Sequence, residues 1–317
     1  MMETLPAKPH PLLGTLEIGR FIAAALVVCS HAIPHLGRIG PPAVQYFFVL
    51  SGFVMITAHL KDFGAASAVP RLWWRRARRI FPCYWLALLV ALPCSAPGSA
   101  HGELLRLVSL APVKVDFELV YPAWTLRFEI AFYLAFGLCL LPRIGLVLLA
   151  IWVLAVALHN GPASARQFLP GWLPADFVSR ADIYFFAGLL AGWVFLRTPG
   201  WLPPAGGLVL AGIALLAGCL ACSHGDIYAG PGLLTPGFAA GFGALILGLA
   251  VLERQGSLRP SAWAGRLGAI SYPLYILHAP LLVALARFGP AELAVVFALC
   301  ALASFGFDQP AQRLLRK

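Results

Sequence analysis

The chain has 317 residues, 60% of them hydrophobic and only 11% charged, with a mean hydropathy of +0.83. A soluble domain carries about twice that charge fraction, and no polar stretch here is long enough to bury a core of its own, so a soluble globular fold is excluded. The net charge of +10 and the pI near 9.6 would point to nucleic acid in a soluble protein. In a membrane protein the loop arginines and lysines account for them, and no nucleic-acid partner is expected.

Ten apolar segments follow in chain order, at roughly 14–35, 42–60, 80–96, 122–141, 144–158, 181–197, 205–222, 232–252, 269–287 and 290–307. They predict an all-α polytopic integral membrane protein with about ten transmembrane helices. A transmembrane barrel would show short alternating segments instead. The fifth segment is short and uncharged, so it is tilted little or extends into its flanks. Lys8, Lys61, the five arginines at 71–79, Arg143, Arg197, Arg254, Arg259, Arg266, Arg313, Arg316 and Lys317 fall on one side of these segments. The other side holds Arg38, Arg106, Lys114, Arg166, Arg180 and Arg287. This bias predicts an even number of crossings with both termini cytoplasmic. The first helix carries Glu17 and Arg20 and has no small-residue cleavage site, so no cleavable signal peptide is expected. The Pro/Gly-rich stretches 96–98, 161–174 and 199–207 read as loops. A single membrane domain over 1–317, with no appended soluble domain, is expected. The absence of an internal repeat or an inverted pair of broken helices counts against a secondary transporter.

Four constellations carry chemistry. In the first helix, Arg20 and His31 lie eleven positions apart, which leaves them about 20° apart around the axis and roughly 16 Å apart along it. Ionisable groups within a membrane segment are costly and mark functional sites by default. Glu17, three residues before Arg20, can pair with it on the same face. A guanidinium there can fork onto a phosphate or carboxylate, and a neutral imidazole can take a hydroxyl proton or attack an acyl carbonyl. A snorkelling arginine and a core histidine would need no such role. Next comes the basic loop Arg71-Leu-Trp-Trp-Arg-Arg-Ala-Arg-Arg-Ile-Phe-Pro82, in which Arg71, Arg75 and Arg78 share a helical stripe. Positive-inside orientation alone accounts for some of this charge. Its density also suits the phosphates of a nucleotide-like carrier, held by Arg75, Arg76, Arg78 and Arg79.

The fourth segment opens with Pro122-Ala-Trp-Thr-Leu-Arg-Phe-Glu-Ile-Ala-Phe-Tyr133, where Thr125, Glu129 and Tyr133 share a face. A carboxylate at this depth can orient a histidine, assist proton transfer, or form a structural ion pair between helices. In the ninth segment, Ile270-Ser-Tyr-Pro-Leu-Tyr-Ile-Leu-His278 places Ser271, Tyr275 and His278 on one stripe. That stripe suits either interhelical polar packing or a catalytic lining. His35, His101, His159 and His224 read as loop or interface residues and His59 as a helix-end residue. The histidines are scattered, the Cys219/Cys222 spacing lies in an apolar helix without a second pair, and no metal site is expected.

Taken in order, these motifs resemble the acyltransferase type 3 family of membrane acyl transferases. The resemblance rests on the arginine–ten residues–histidine pattern of Arg20 and His31, on Phe47-Phe-Val-Leu-Ser-Gly-Phe53 and on Arg78-Arg-Ile-Phe-Pro82. It continues through Trp124-Thr-Leu-Arg-Phe-Glu129, the Ile270–His278 stretch and Phe307-Asp-Gln-Pro310. Glu17 stands where an aspartate is more frequent in the family, and the charge is kept. The resemblance implies a ten-helix enzyme of the bacterial inner membrane that takes an acyl group, usually acetyl, from cytoplasmic acyl-CoA. The acceptor it implies is a hydroxyl on a carbohydrate or lipid-linked glycan, as in exopolysaccharide and O-antigen O-acetyltransferases. On this expectation His31, Arg20 and Glu129 are catalytic, and the four arginines at 75, 76, 78 and 79 bind acyl-CoA. Glu17, Trp124, Tyr275 and His278 would line the substrates. A transporter or flippase using the same intramembrane charges, and a non-catalytic relative acting as a membrane partner, are the competing classes.

Overall fold

The computed structural model describes residues 13–94, 104–111, 119–197, 204–223, 234–285 and 290–316. Lys8, His101, Lys114, His224, Arg287, Lys317, the loop at 96–98 and most of that at 199–207 lie outside them. The helices, in order, are α1 (Gly14–Ala32), α2 (Gly40–His59), α3 (Ala68–Ala91), the short α4 (Leu104–Ser109), α5 (Ala123–Leu138) and α6 (Gly145–Asn160). They continue as α7 (Arg180–Arg197), α8 (Ala205–Cys222), α9 (Leu234–Arg254), α10 (Ala264–Ala284), α11 (Pro290–Ala303) and α12 (Gln309–Leu314). A π-helical stretch at Ser304–Asp308 joins the last two.

Each of the ten apolar segments falls on a helix, but their lengths differ from a uniform set of ten crossings. Among the described residues, eight helices are long and apolar enough to span a membrane. The two that fall short are α5 and α6, of 16 residues each, which rise about 24 Å against a hydrocarbon core of about 30 Å. A second correction concerns the basic stretch. Arg71–Pro82 is no loop but the first half of the 24-residue α3, with Pro82 inside the helix. The arginine stripe and the Trp73–Trp74 pair are the polar and interfacial start of a helix whose apolar half follows.

Glu17 of α1 lies against Gly268 of α10, and further along both helices His31 meets His278, so α1 and α10 run in the same direction. Close approaches of Gly188 to Val49 and of Gly192 to Ile56 likewise make α2 and α7 parallel. A Cβ at Gly188 would collide with the backbone of α2, so only glycine permits this approach. Parallel α1 and α10 need an odd number of crossings between them. Among the described helices, and with each of the long apolar ones crossing, that number is seven if α5 and α6 both cross and five if neither does. The two short helices therefore cross together or not at all.

The core between α2, α5, α6 and α7 is aromatic. Phe132 stacks on Phe185 with ring centres 4.0 Å apart, and Trp152 packs against both Phe132 and Phe186. The opposite face of α6 exposes Leu146, Val147, Ile151 and Leu154, an apolar surface suited to lipid.

The start of α1 is held from a distance. Glu253, near the end of α9, accepts hydrogen bonds from the Gly14 and Thr15 backbone N–H groups at 2.7 and 2.8 Å and from the Thr15 hydroxyl. These are among the N–H groups that a helix cannot satisfy internally, and a carboxylate there also opposes the positive end of the helix dipole. Glu253→Ala is expected to cost about 1–2 kcal/mol, read as a lower midpoint of thermal aggregation in detergent. Glu253→Gln, which keeps one acceptor, is expected to lose less.

Candidate active site

The seam between α1 and α10 carries ionisable groups at both of its ends. At the first, Arg20 Nη1 lies 3.3 and 3.5 Å from the two carboxylate oxygens of Glu17. Glu17 in turn occupies the space that a side chain at position 268 would need, so Gly268 makes room for it. Tyr46 of α2 fits its hydroxyl against Gly19 in the same way. That hydroxyl and the Gln45 Oε1 are buried with no hydrogen-bond partner among the described residues.

The arginines of α3 separate onto two faces. Arg76 and Arg79 turn toward the helices. Arg76 lies over the ring of Tyr133 at 5.1 Å, and Arg79 is within electrostatic range of Glu17, Tyr133, Tyr272 and Asp308. Arg75 and Arg78 reach other neighbours. Arg75 lines a cavity of about 50 Å³ with Arg71, His59 and Asp62, whose His59 Nδ1 and Asp62 Oδ2 are 2.7 Å apart. Arg78 donates to the Leu315 carbonyl at 3.3 Å, tying α3 to the end of α12.

Glu129 is the acceptor of a small half-buried network. Ser51 donates to its Oε1 at 3.2 Å, and the Tyr133 hydroxyl donates to the same oxygen. Trp73 fixes the backbone of this turn by donating to the Tyr133 carbonyl at 3.0 Å. The shared face of Glu129 and Tyr133 is thus formed as the spacing implies. Its partners come from α2 and α3, and His31 is not among the groups bonded to Glu129.

At the far end of the seam His31 is exposed, and its Nδ1 lies 2.8 Å from Nε2 of His278. The His31 Nε2 has no hydrogen-bond partner among the described residues. His278 is fully buried, and its Nδ1 lies 3.1 Å from the Leu274 carbonyl. Its imidazole therefore sits behind His31. Tyr275, also buried, shares a 2.6 Å hydrogen bond with Thr125 and packs edge-on to Phe47. Ser271, on the same stripe, bonds back to the Gly268 carbonyl. Trp124 is half-buried and meets Phe128 edge to face.

Tyr121 stands beside His31, 61% exposed, with the two rings edge to face and their centres 5.4 Å apart. It lies one residue ahead of the Pro122 motif. Its place next to His31 has no sequence signal beyond that adjacency. Ser51 was marked only as part of the Phe47–Phe53 run. A phenol half in solvent beside an imidazole suits contact with the face of a sugar ring.

Residues 13–307 match the family model described as an acyltransferase domain. The chain is 28% identical over 273 residues to the exopolysaccharide production protein ExoZ of Rhizobium meliloti, covering 77% of each chain. It is 29% identical over 289 residues to the acyltransferase MdmB of Streptomyces mycarofaciens, covering 78% of this chain and 69% of that one. No solved structure matches.

Proposed function

The chain belongs to the acyltransferase family that matches it over residues 13–307, and we propose that it moves an acetyl group from cytoplasmic acetyl-CoA to a hydroxyl of a carbohydrate or lipid-linked glycan at the bacterial inner membrane. The observation that carries this reading is the exposed His31 imidazole at one end of the α1–α10 seam, with Arg20 and the inward arginines of α3 toward the other. The printed name of ExoZ, an exopolysaccharide production protein, favours a glycan acceptor.

In this mechanism the arginines of α3 hold the CoA phosphates at the cytoplasmic end, as charge-assisted forks suit phosphate oxygens. The pantetheine arm runs along the seam past Arg20 and brings its thioester toward His31. The unengaged Nε2 of His31 takes the proton of the acceptor hydroxyl while its oxygen bonds to the acyl carbon. The C–S bond then breaks and the proton passes to the departing thiolate. Glu129 acts at a distance, holding Tyr133 and Ser51 and balancing the charge of Arg76 beside them. Tyr121 supports the acceptor ring.

The test is thiol release from acetyl-CoA by purified protein with membrane glycan fractions, followed by mass spectrometry of the glycan. Release that depends on glycan, with acetyl gained by it, is the expected result. Solute flux without acetyl-CoA consumption would replace this reading with a transporter. Within the same assay, Arg78→Ala with Arg79→Ala is expected to raise the KM for acetyl-CoA roughly tenfold or more, since each charge-assisted bond contributes about 1.5–3 kcal/mol. An unchanged KM with intact membrane insertion would leave these arginines an orienting role only.

A further inference from the structure

The two nitrogens of an imidazole are not equivalent, and which one carries the proton is set by what the other is bonded to. Starting from the backbone, this assignment can be made for the pair at the end of the seam. The Leu274 carbonyl can only accept, and His278 Nδ1 lies 3.1 Å from it, so that nitrogen carries the hydrogen. His278 is fully buried and bonded to no carboxylate among the described residues, surroundings that hold an imidazole neutral. Its Nε2 is then a bare lone pair. His31 Nδ1, 2.8 Å away, must donate to it. The ring centres are 5.0 Å apart with only 10° between the ring planes, so the rings meet edge to edge and the lone pair of one lies along the N–H of the other. The remaining nitrogen of His31, Nε2, is left unprotonated on the exposed side.

We propose that His278 is a positioning residue: through the chain Leu274 carbonyl, His278, His31, it fixes His31 as the tautomer whose free Nε2 faces the acceptor. A free histidine side chain favours the opposite tautomer, with hydrogen on Nε2, and that nitrogen can then neither accept a hydroxyl proton nor attack a carbonyl. His278 thus supplies what a carboxylate supplies in a serine-protease triad, where the wrong tautomer is costly although the geometry is kept. It does so without placing a negative charge in the membrane, where an unpaired carboxylate would be expensive. The kinetic part of this inference rests on the transferase reading; the tautomer itself does not.

Three variants separate the roles. His278→Gln keeps an acceptor atom near the position of Nε2. His278→Asn has a polar atom only near the position of Nδ1 and cannot reach His31. His278→Leu fills the space without an acceptor. The expected order of kcat is wild type, then Gln within about tenfold, then Asn and Leu lower by a further factor of ten or more, with the KM for acetyl-CoA unchanged in all three. Independently of transfer, diethyl pyrocarbonate modifies an unprotonated ring nitrogen, and the modified histidine is located by mass spectrometry of the full-length protein in detergent. His31 is expected to react several-fold more slowly in Asn and Leu than in wild type and Gln. If the three variants lose activity equally and His31 reacts at the wild-type rate in all of them, the positioning role is overturned and His278 is a packing residue. If the modification follows the expected order while no preparation transfers acetyl, the tautomer assignment stands and the transferase reading fails.

Discussion

His31→Ala is expected to lower acyl transfer by about 10²–10⁴-fold, the range in which a positioned acid–base group contributes, while leaving expression and fold intact. The fold expectation comes from the surroundings. His31 is exposed, it lies one residue from the end of α1, and its one hydrogen bond among the described residues is to His278. Removing it leaves His278 Nε2 without a donor, a cost of about 1–3 kcal/mol at most, and a water entering the vacated exposed position can meet that nitrogen. The loss of activity is therefore not a loss of structure, and size-exclusion profiles in detergent check the point. His31→Gln adds a second discrimination: it keeps hydrogen-bonding capacity but has no basic nitrogen, so it is expected to be as inactive as alanine. Transfer by either variant at more than a tenth of the wild-type rate would remove His31 from the chemistry. Whether the acetyl group rests on the imidazole on its way is answered by labelled acetyl-CoA without acceptor. Label retained on wild type and absent from His31→Ala marks a covalent intermediate.

The helices were legible because the hydrophobic signal is local. Every apolar segment coincides with a helix, and Arg20 and His31 lie on one continuous α1, as their spacing requires. The basic stretch reads as a loop for a physical reason. Five arginines depress the local hydropathy over Arg71–Arg79, although their spacing already follows a helical stripe, and the helix continues through Pro82 because the residues after it are apolar. What sequence could not give is any contact between distant segments. His31 and His278 are 247 residues apart, and Thr15 and Glu253 are 238 apart, and no periodicity links them. The stripe of Ser271, Tyr275 and His278 was visible, but its members serve three different partners: their own helix, Thr125 and His31. Glu129 shows the same division. Its face with Tyr133 follows from a spacing of four, whereas Ser51 reaches it from another helix.

Arg20→Ala is expected to be inactive, with transfer reduced at least a hundredfold. The proposed mechanism asks Arg20 for more than its charge. Arg20 meets both oxygens of Glu17 through Nη1 alone, at 3.3 and 3.5 Å, and its Nη2 and Nε make no hydrogen bond among the described residues. A guanidinium committed to an ion pair would present two nitrogens in a fork; here two of the three nitrogens stay open, and in the proposed mechanism they meet the carrier. Truncating Arg20 alone would also leave the half-buried Glu17 carboxylate with only the more distant charge of Arg79 to offset it. The single variant therefore mixes two effects, and two further variants separate them. Arg20→Lys keeps the charge and can pair with Glu17 but lacks the planar fork, so it is expected to fold normally and retain no more than a few per cent of activity. Glu17→Gln with Arg20→Gln removes both charges together, so no unpaired carboxylate is left behind. It is expected to remain inactive, because the free donors of Arg20 are still missing. Recovery of transfer in that double variant, or near-normal rates with lysine, would show that Arg20 does nothing more than neutralise Glu17.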